Sequence, residues 1–166
     1  IAKGLTELMG GSIAAKSGRE KGTVFRVELA FDRMEEKEKT EAESEALAGK
    51  RLLLAEDDRL CGEILCELLE DETGRPVSIA ANGRAALEMF ESANGEYDAI
   101  IMDVQMPVMN GYEAARAIRR SGCGNAKTVP IIALTADASE ESARAAADSG
   151  MNGCLAKPVN IDRLRK

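Results

Sequence analysis

The stretch AIIMDVQMPVMNGYEAARAIR, residues 99–119, predicts a buried strand, a loop and a helix in that order. It begins with a continuous apolar run, which is typical of a strand covered on both faces of a sheet. Pro107 and the pair Asn110-Gly111 signal a loop, and apolar residues then recur at helical spacing. Asp103 stands between the apolar run and the loop, so it marks the carboxyl end of the predicted strand.

The same alternation of strands and helices continues on both sides of this stretch. Apolar runs occur at 52–55, 77–81, 99–102, 129–134 and 153–156, with helical patterns near 59–70, 83–92, 110–120 and 139–148 and from 161. The apolar residues at helical spacing in the first helix are Leu60, Ile64, Leu65, Leu68 and Leu69. We interpret Asn82-Gly83 as a turn after the second strand. Strands that alternate with helices pair in parallel, so we predict an α/β fold with a doubly wound five-stranded parallel sheet.

Composition divides the chain into three regions. Residues 1–32 end in an alternating stretch, 24–31, which predicts a β-strand with one apolar face but offers too little chain to bury a core alone. Residues 33–49 carry six glutamates and two lysines, so we expect a solvated acidic linker. The regular α/β pattern occupies residues 50–166, where the last helix has less than two turns of chain.

Charge and residue usage exclude several classes of function. Acidic residues outnumber basic residues by 29 to 22, which argues against nucleic acid or an anionic membrane as a partner. The chain has no histidine, so a Ser-His-Asp triad, a His-ligated zinc ion and a histidine general base are excluded. Four cysteines without a C-x-x-C pair, no signal peptide and no long apolar run favour a cytoplasmic location without membrane contact. Ile1 in place of an initiator Met suggests a piece of a longer protein, which could itself be anchored in a membrane.

Polar and charged side chains follow four of the predicted strands. They are Glu56, Asp57 and Asp58 after the first, Asp103 after the third, Thr135 after the fourth and Lys157 after the fifth. The carboxyl ends of parallel strands meet at one edge of a sheet, where ligands bind in this class of fold. Carboxylates held close together repel one another unless a cation joins them, and their oxygens suit Mg²⁺. The cation, Lys157 and Thr135 would then each take one oxygen of a phosphoryl group, with Asp103 as the nucleophile that receives it.

Four segments together resemble the receiver domain of two-component response regulators. They are LLLAEDD (52–58), DVQMPVMNGYEAARAIR (103–119), PIIALTA (130–136) and SGMNGCLAKPV (149–159). The resemblance implies the flavodoxin-like receiver fold, whose strands lie in the order 2-1-3-4-5. It also implies a function in two-component phosphorelay signalling, by Mg²⁺-dependent transfer of a phosphoryl group from a phosphohistidine to an aspartate and a conformational switch.

The resemblance assigns roles to individual residues. It implies that Asp103 is the phospho-acceptor, Thr135 the switch hydroxyl and Lys157 the cation that contacts the phosphoryl group. The implied Mg²⁺ ligands are Glu56, Asp57, Asp103 and the backbone carbonyl of Gln105. A cis peptide is implied between Lys157 and Pro158. We interpret Asp58 as the N-cap of a helix rather than as a ligand.

Two residues depart from the pattern of the family. Cys154 stands where receiver domains carry a switch Tyr or Phe, so an aromatic rotamer flip coupled to Thr135 is not available. We therefore expect output through backbone or loop changes around 136–160. Glu56 replaces the more usual aspartate, and its extra methylene would reposition the water shell of the metal.

Residues 4–31, GLTELMGGSIAAKSGREKGTVFRVELAF, are similar to the end of a histidine-kinase ATP-binding domain. The resemblance implies that residues 1–32 are the C-terminal remnant of that domain and that the parent protein is a hybrid sensor histidine kinase. Because the nucleotide-contacting motifs and any histidine are missing, we expect no kinase activity from this chain alone. The expected partner is a histidine kinase or a histidine phosphotransfer domain.

Two other functions and one assembly are compatible with the sequence. An aspartate-nucleophile phosphohydrolase would need an acid two residues after Asp103, where this chain has Gln105. A receiver-like interaction module that no longer accepts phosphate is favoured by Cys154 but disfavoured by the otherwise intact acceptor site. An unpaired strand edge at 24–31 and a short last helix would leave surfaces on which a homodimer could form.

Overall fold

The structure, a computed structural model, describes residues 3, 6, 10–18, 22–29, 46–137 and 139–164. The chain divides into two compact units, Ile1–Glu38 and Lys39–Lys166. Most of the predicted acidic linker, residues 33–45, lies outside the described residues. None of the helices in the described part of the chain qualifies as a membrane-spanning segment.

The first unit contains a β-hairpin. Strand β1 (Ser12–Gly18) pairs antiparallel along its whole length with strand β2 (Gly22–Glu28). The strand predicted at 24–31 therefore begins earlier and ends at Glu28, because its ladder with β1 ends there. Residues 30–32 lie outside the described part of the chain. One edge of β2 is paired with β1.

The second unit is a parallel sheet with helices between its strands. The strands are β3 (Leu52–Ala55), β4 (Ser78–Ala80), β5 (Ala99–Asp103), β6 (Ile131–Thr135) and β7 (Gly153–Ala156). The helices are α1 (Arg59–Thr73), α2 (Gly83–Ser92), α3 (Gly111–Ser121), α4 (Glu140–Asp148) and α5 (Ile161–Leu164). The strands lie in the order β4-β3-β5-β6-β7. When β3 is counted as the first strand of the sheet, this is the order 2-1-3-4-5. The predicted doubly wound parallel sheet is therefore confirmed.

The sheet separates two apolar clusters. On the central strand β5, Ile100 and Met102 belong to one cluster and Ile101 belongs to the other. All three side chains are essentially inaccessible to water. Successive residues of a strand point to opposite faces, so a strand covered on both faces is a continuous apolar run in the sequence. Because apolar clusters cover both faces, the strands stay paired and their carboxyl ends lie side by side at one edge of the sheet.

Asn82-Gly83, predicted as a turn, is the start of α2. Asn82 is the N-cap, and its side chain accepts a hydrogen bond from the backbone N–H of Ala85 at 2.9 Å. Gly83 packs so closely that a Cβ there would lie 2.5 Å from the carbonyl oxygen of Met109. Turns and helix caps use the same residue types, and this is why the pattern alone did not distinguish them.

Gly111 allows α3 to begin directly against the end of β5. A Cβ at this position would lie 2.3 Å from the carbonyl oxygen of Asp103, and only glycine lacks that atom. The backbone N–H of Gly111 donates to the carbonyl of Val104 at 3.0 Å. Asn110 and Glu113 then form a capping box at the start of α3. The loop after Asp103 is therefore folded tightly against the strand that carries this residue.

We expect Gly111→Ala to lower the free energy of unfolding by about 1–3 kcal/mol, because the added methyl group forces α3 away from Asp103. Gly153→Ala is the matched control, since a Cβ there makes only an ordinary 3.7 Å contact with Ile132. Urea unfolding followed by circular dichroism measures both variants. Equal stability of the two would contradict the close approach at Gly111.

Candidate functional site

Four strand ends bring the predicted site residues to one edge of the sheet. Glu56 directly follows β3, Asp103 ends β5, Thr135 ends β6 and Lys157 directly follows β7. Because these strands are parallel, all four residues lie at the carboxyl edge. Glu56 and Asp103 are buried there despite their charge. Buried carboxylates of this kind need a compensating partner.

Lys157 joins the two buried carboxylates. Its Nζ lies 2.7 Å from Glu56 Oε2 and 2.7 Å from Asp103 Oδ2. The side chains of Glu56 and Asp103 are 2% and 8% exposed, whereas that of Lys157 is 31% exposed. Two carboxylates withdrawn from water repel each other, so the ammonium group between them stabilises both. The two contacts connect residues that are 101 and 54 positions apart in the chain.

Burial and pairing shift the pKa values of this cluster. Burial raises the pKa of Glu56 more than the hydrogen bond from Lys157 lowers it, and the charge of Asp103 adds to the increase. Burial alone would lower the pKa of Lys157, but its hydrogen bonds to Asp103 and Glu56 outweigh that effect and raise the pKa. Lys157 is therefore protonated at neutral pH, and its positive charge is a constant part of the site.

Asp57 completes a group of three carboxylates that could hold a metal ion. One carboxylate oxygen from each of Glu56, Asp57 and Asp103 lies within 4.8 Å of the others, and Asp57 is the exposed member. Such hard oxygen ligands suit Mg²⁺, so the donor set fits the predicted ion. The neighbouring Asp58 caps α1, as predicted. Its side chain accepts a hydrogen bond from the backbone N–H of Cys61 at 2.8 Å, which lowers the pKa of Asp58.

Both oxygens of the Asp103 carboxylate are hydrogen-bonded. Oδ2 accepts from Lys157, and Oδ1 accepts from the backbone N–H of Gln105 at 3.0 Å. These bonds fix the orientation of the carboxylate and leave acceptor capacity on each oxygen. Ligation of a metal by the carbonyl of Gln105 stays a prediction.

Thr135 reaches the same edge of the sheet but forms hydrogen bonds within its own loop. Its hydroxyl donates to the carbonyl oxygen of Asp137 at 3.0 Å and accepts from the backbone N–H of Asp137 at 3.3 Å. Cys154, which replaces the expected aromatic residue, is partly buried and packs against the larger apolar cluster. The Lys157-Pro158 peptide is cis.

A groove of about 230 Å³ adjoins the buried carboxylate of Glu56, and sequence analysis missed it. Glu56 and Lys157 line it together with Cys61, Ile64, Leu65, Leu68, Leu134, Pro158 and Val159. Of the apolar residues that recur along α1, Leu65 and Leu69 are buried, whereas Leu60, Ile64 and Leu68 are exposed. The sequence did contain a signal for this exposed apolar surface. Five apolar positions in ten residues are more than the single stripe that a helix buries against a sheet.

Comparisons with known families and proteins agree with one another. Residues 52–166 match the family described as response regulator receiver domain. The whole chain aligns with the virulence sensor protein BvgS of Bordetella bronchiseptica at 32% identity, and 99% of it aligns with the aerobic respiration control sensor protein ArcB of Escherichia coli at 29%. A further relative is the probable histidine kinase 2 of Oryza sativa, with 36% identity over 80% of this chain. The chain spans only 14%, 21% and 14% of these three proteins.

Several solved structures share the fold of the second unit. The chemotaxis protein CheY4 of Vibrio cholerae is 35% identical, with a TM-score of 0.63 over 70% of this chain and 93% of its own. The receiver domain of the sensor histidine kinase PA1611 of Pseudomonas aeruginosa, with magnesium in its active-site cleft, is 39% identical, with a TM-score of 0.58 over 71% and 93%. A third match is the complex of the Saccharomyces cerevisiae histidine phosphotransfer protein Ypd1 with the receiver domain of Ssk1, at 33% identity and a TM-score of 0.63 over 71% and 85%.

We expect Mg²⁺ to raise the Tm, because it would bind the folded chain and not the unfolded one. Asp57→Ala should abolish this increase and, because Asp57 is exposed, leave the Tm in EDTA nearly unchanged. Asp58→Ala is the matched control: it removes the cap of α1 and lowers the Tm in EDTA, yet keeps the increase with Mg²⁺. Thermal unfolding with and without Mg²⁺ measures all three proteins. An undiminished increase in Asp57→Ala would contradict the assignment of Asp57.

Proposed function

Residues 52–166 belong to the response regulator receiver domain family, and from that premise we propose that Asp103 accepts a phosphoryl group from a phosphohistidine. Receiver domains act in two-component phosphorelays, and the family match does not favour a phosphohydrolase or an inert interaction module. The observation that carries the assignment is the environment of Asp103. It ends the central strand, with Lys157 2.7 Å from one oxygen and the carboxylates of Glu56 and Asp57 beside it.

The proposed reaction moves the phosphoryl group between two nucleophiles. A carboxylate oxygen of Asp103 forms a bond to phosphorus while the bond between phosphorus and the donor imidazole nitrogen breaks. The electron pair of the broken bond returns to the imidazole nitrogen, which takes up a proton. The products are an acyl phosphate on Asp103 and a neutral histidine on the donor. The N–H of Gln105 on Oδ1 keeps the attacking carboxylate oriented.

Lys157 is placed to balance the negative charge that the transfer adds. Its ammonium group already contacts Asp103 Oδ2, and a phosphoryl group there would offer it further oxygen acceptors. We assign Glu56, Asp57, Asp103 and the Gln105 carbonyl as the ligands of Mg²⁺, which when bound supplies positive charge for the phosphoryl oxygens. The magnesium ion in the cleft of the PA1611 receiver domain supports this assignment.

Thr135 is the proposed switch. To donate its hydroxyl to a phosphoryl oxygen, Thr135 must give up its hydrogen bond to the carbonyl of Asp137. That exchange would free the backbone at Asp137 and change the loop that leads into α4. Because Cys154 replaces the aromatic residue, the change would reach the surface through this loop rather than through a ring rotation.

The parent protein is, in this proposal, a hybrid sensor histidine kinase. Support comes from relatives that are named as histidine kinases and from the PA1611 receiver domain, which belongs to a sensor histidine kinase. Residues 1–32 would end the ATPase domain, 33–49 would form the linker and 50–166 the receiver domain, all in the cytoplasm. The phosphodonor or acceptor would be a histidine kinase or a histidine phosphotransfer protein, as Ypd1 is for Ssk1.

Acetyl phosphate tests the assignment of Asp103. With Mg²⁺ present, we expect it to add one base-labile phosphoryl group to the chain, detected by intact mass. Asp103→Asn should remove the adduct, whereas Asp148→Asn, at an exposed position on α4, should keep it. An adduct that persists in Asp103→Asn would contradict the proposal. Turnover of acetyl phosphate without any adduct would instead indicate a hydrolase.

Lys157→Ala separates the structural role of the lysine from its signalling role. In EDTA the two buried carboxylates lose their counter-ion, so we expect the free energy of unfolding to fall and to recover on addition of Mg²⁺. With Mg²⁺ the variant should still accept the phosphoryl group. It should not show the phosphorylation-dependent NMR shift changes at Asp137 and in α4 that we expect of the unsubstituted chain. Equal shift changes in both proteins would disprove the signalling role.

A further inference from the structure

Asparagine is followed by glycine at four places in the chain. An asparagine in such a pair can lose ammonia, because the backbone nitrogen of the next residue attacks the side-chain amide carbon and glycine has no side chain to obstruct it. The pairs are Asn82-Gly83, Asn94-Gly95, Asn110-Gly111 and Asn152-Gly153. The reaction requires a side chain that is free to bend towards its own backbone. The contacts of each amide therefore decide which pair reacts.

Hydrogen bonds hold the asparagine side chain in three of the four pairs. Asn82 and Asn110 cap α2 and α3, and the side-chain oxygen of each accepts a backbone N–H from within its helix at 2.9 Å. The side-chain oxygen of Asn152 accepts from the backbone N–H of Ile131 and from the guanidinium group of Arg119, both at 2.9 Å. Each bond that must break first slows ring closure by about fivefold.

The side chain of Asn94 is not held in this way. It is exposed and makes no hydrogen bond within the described part of the chain. The attacking N–H of Gly95 donates to the carbonyl oxygen of Phe90 at 2.9 Å. The N–H groups of Gly83 and Gly111 are bonded as well, at 3.1 Å and 3.0 Å, so a backbone bond does not distinguish these pairs. The unbonded amide does distinguish Asn94.

We propose that Asn94 is the site at which this protein deamidates spontaneously, and that one product disrupts the loop between α2 and β5. The nitrogen of Gly95 forms a bond to the side-chain amide carbon of Asn94. The bond from that carbon to its own nitrogen breaks, and this nitrogen leaves as ammonia with the proton of Gly95. Water then opens the cyclic imide at either carbonyl. The products are aspartate and isoaspartate, in which the backbone runs through the former side chain.

The loop that carries Asn94 packs tightly against the loop between α3 and β6. A Cβ on Gly124 would overlap the carbonyl oxygen of Asn94, and a Cβ on Gly95 would lie 3.0 Å from the backbone nitrogen of Asn125. The side-chain amide of Asn125 donates to the carbonyl oxygen of the buried Tyr97 at 2.7 Å. Isoaspartate lengthens the backbone by one methylene group, so the two loops lose this fit. Aspartate keeps the length of the backbone and preserves it.

The test follows all four pairs in one ageing experiment on the full chain. The protein is kept folded at mildly alkaline pH, and its proteolytic peptides are analysed by mass spectrometry over time. We expect the peptide with Asn94 to gain the mass of an amide-to-acid change about fivefold faster than any other pair. Methyl transfer by an isoaspartyl methyltransferase detects the isoaspartate in this peptide. The Tm of the aged protein should fall by several degrees as isoaspartate accumulates.

Two variants separate the parts of this proposal. Asn94→Gly removes the reacting amide and suits the φ of +50° at this position, so its Tm should not change on ageing. Freshly prepared Asn94→Asp carries the charge of the product on an unaltered backbone, so its Tm should equal that of the fresh unsubstituted chain.

Three outcomes would overturn the proposal. Equal conversion of all four pairs, or faster conversion of another pair, would disprove the assignment of Asn94. An unchanged Tm in protein that carries isoaspartate at this position would disprove the effect on the loop. An equal fall in the Tm of aged Asn94→Gly would show that the loss of stability arises elsewhere.

Discussion

The contacts of Lys157 with Glu56 and Asp103 are the interaction on which the carboxyl edge of the sheet depends. The folded chain withdraws two carboxylates from water at a place where parallel strands bring them together. Without a cation, their repulsion and loss of hydration would oppose the pairing of β3 with β5, the strands that carry them. The same positive charge lies where a phosphoryl group would arrive. One ammonium group thus serves the stability of the site and its chemistry.

The sheet and the positions of the site residues could be predicted from the sequence. A strand that is buried on both faces is a continuous apolar run, and the first charged residue after the run marks the end of the strand. Ile100, Ile101 and Met102 are consecutive apolar residues that alternate between two clusters, and the first charged residue after them is the one at the edge. Strand order required the family resemblance, since alternation of elements does not determine which strands are neighbours. The residues of the site were therefore predicted from where the strands end.

Other features could not be predicted, because residue type does not show which environment a side chain occupies or which partner it bonds to. An apolar residue on α1 can face the sheet or the solvent, and Leu60 and Leu65 have the same side chain in opposite environments. The hydroxyl of Thr135 can bond to a neighbouring backbone group or to a ligand, and in this structure it bonds to Asp137. Asn82 fits both a turn and a cap. The alternatives for Thr135 and Asn82 differ by about 1 kcal/mol each, and only the surrounding packing selects between them.

The separation of 101 residues between Glu56 and Lys157 has a consequence for the newly made protein. A ribosome produces β3 and β5, with both acids, long before it produces the lysine that neutralises them. During that interval Glu56 and Asp103 have no ammonium group between them, so their repulsion opposes the pairing of β3 with β5. Because our proposal needs Lys157 to couple phosphorylation to Asp137 and α4, the ability to pass on a signal would arise only once this residue has been made.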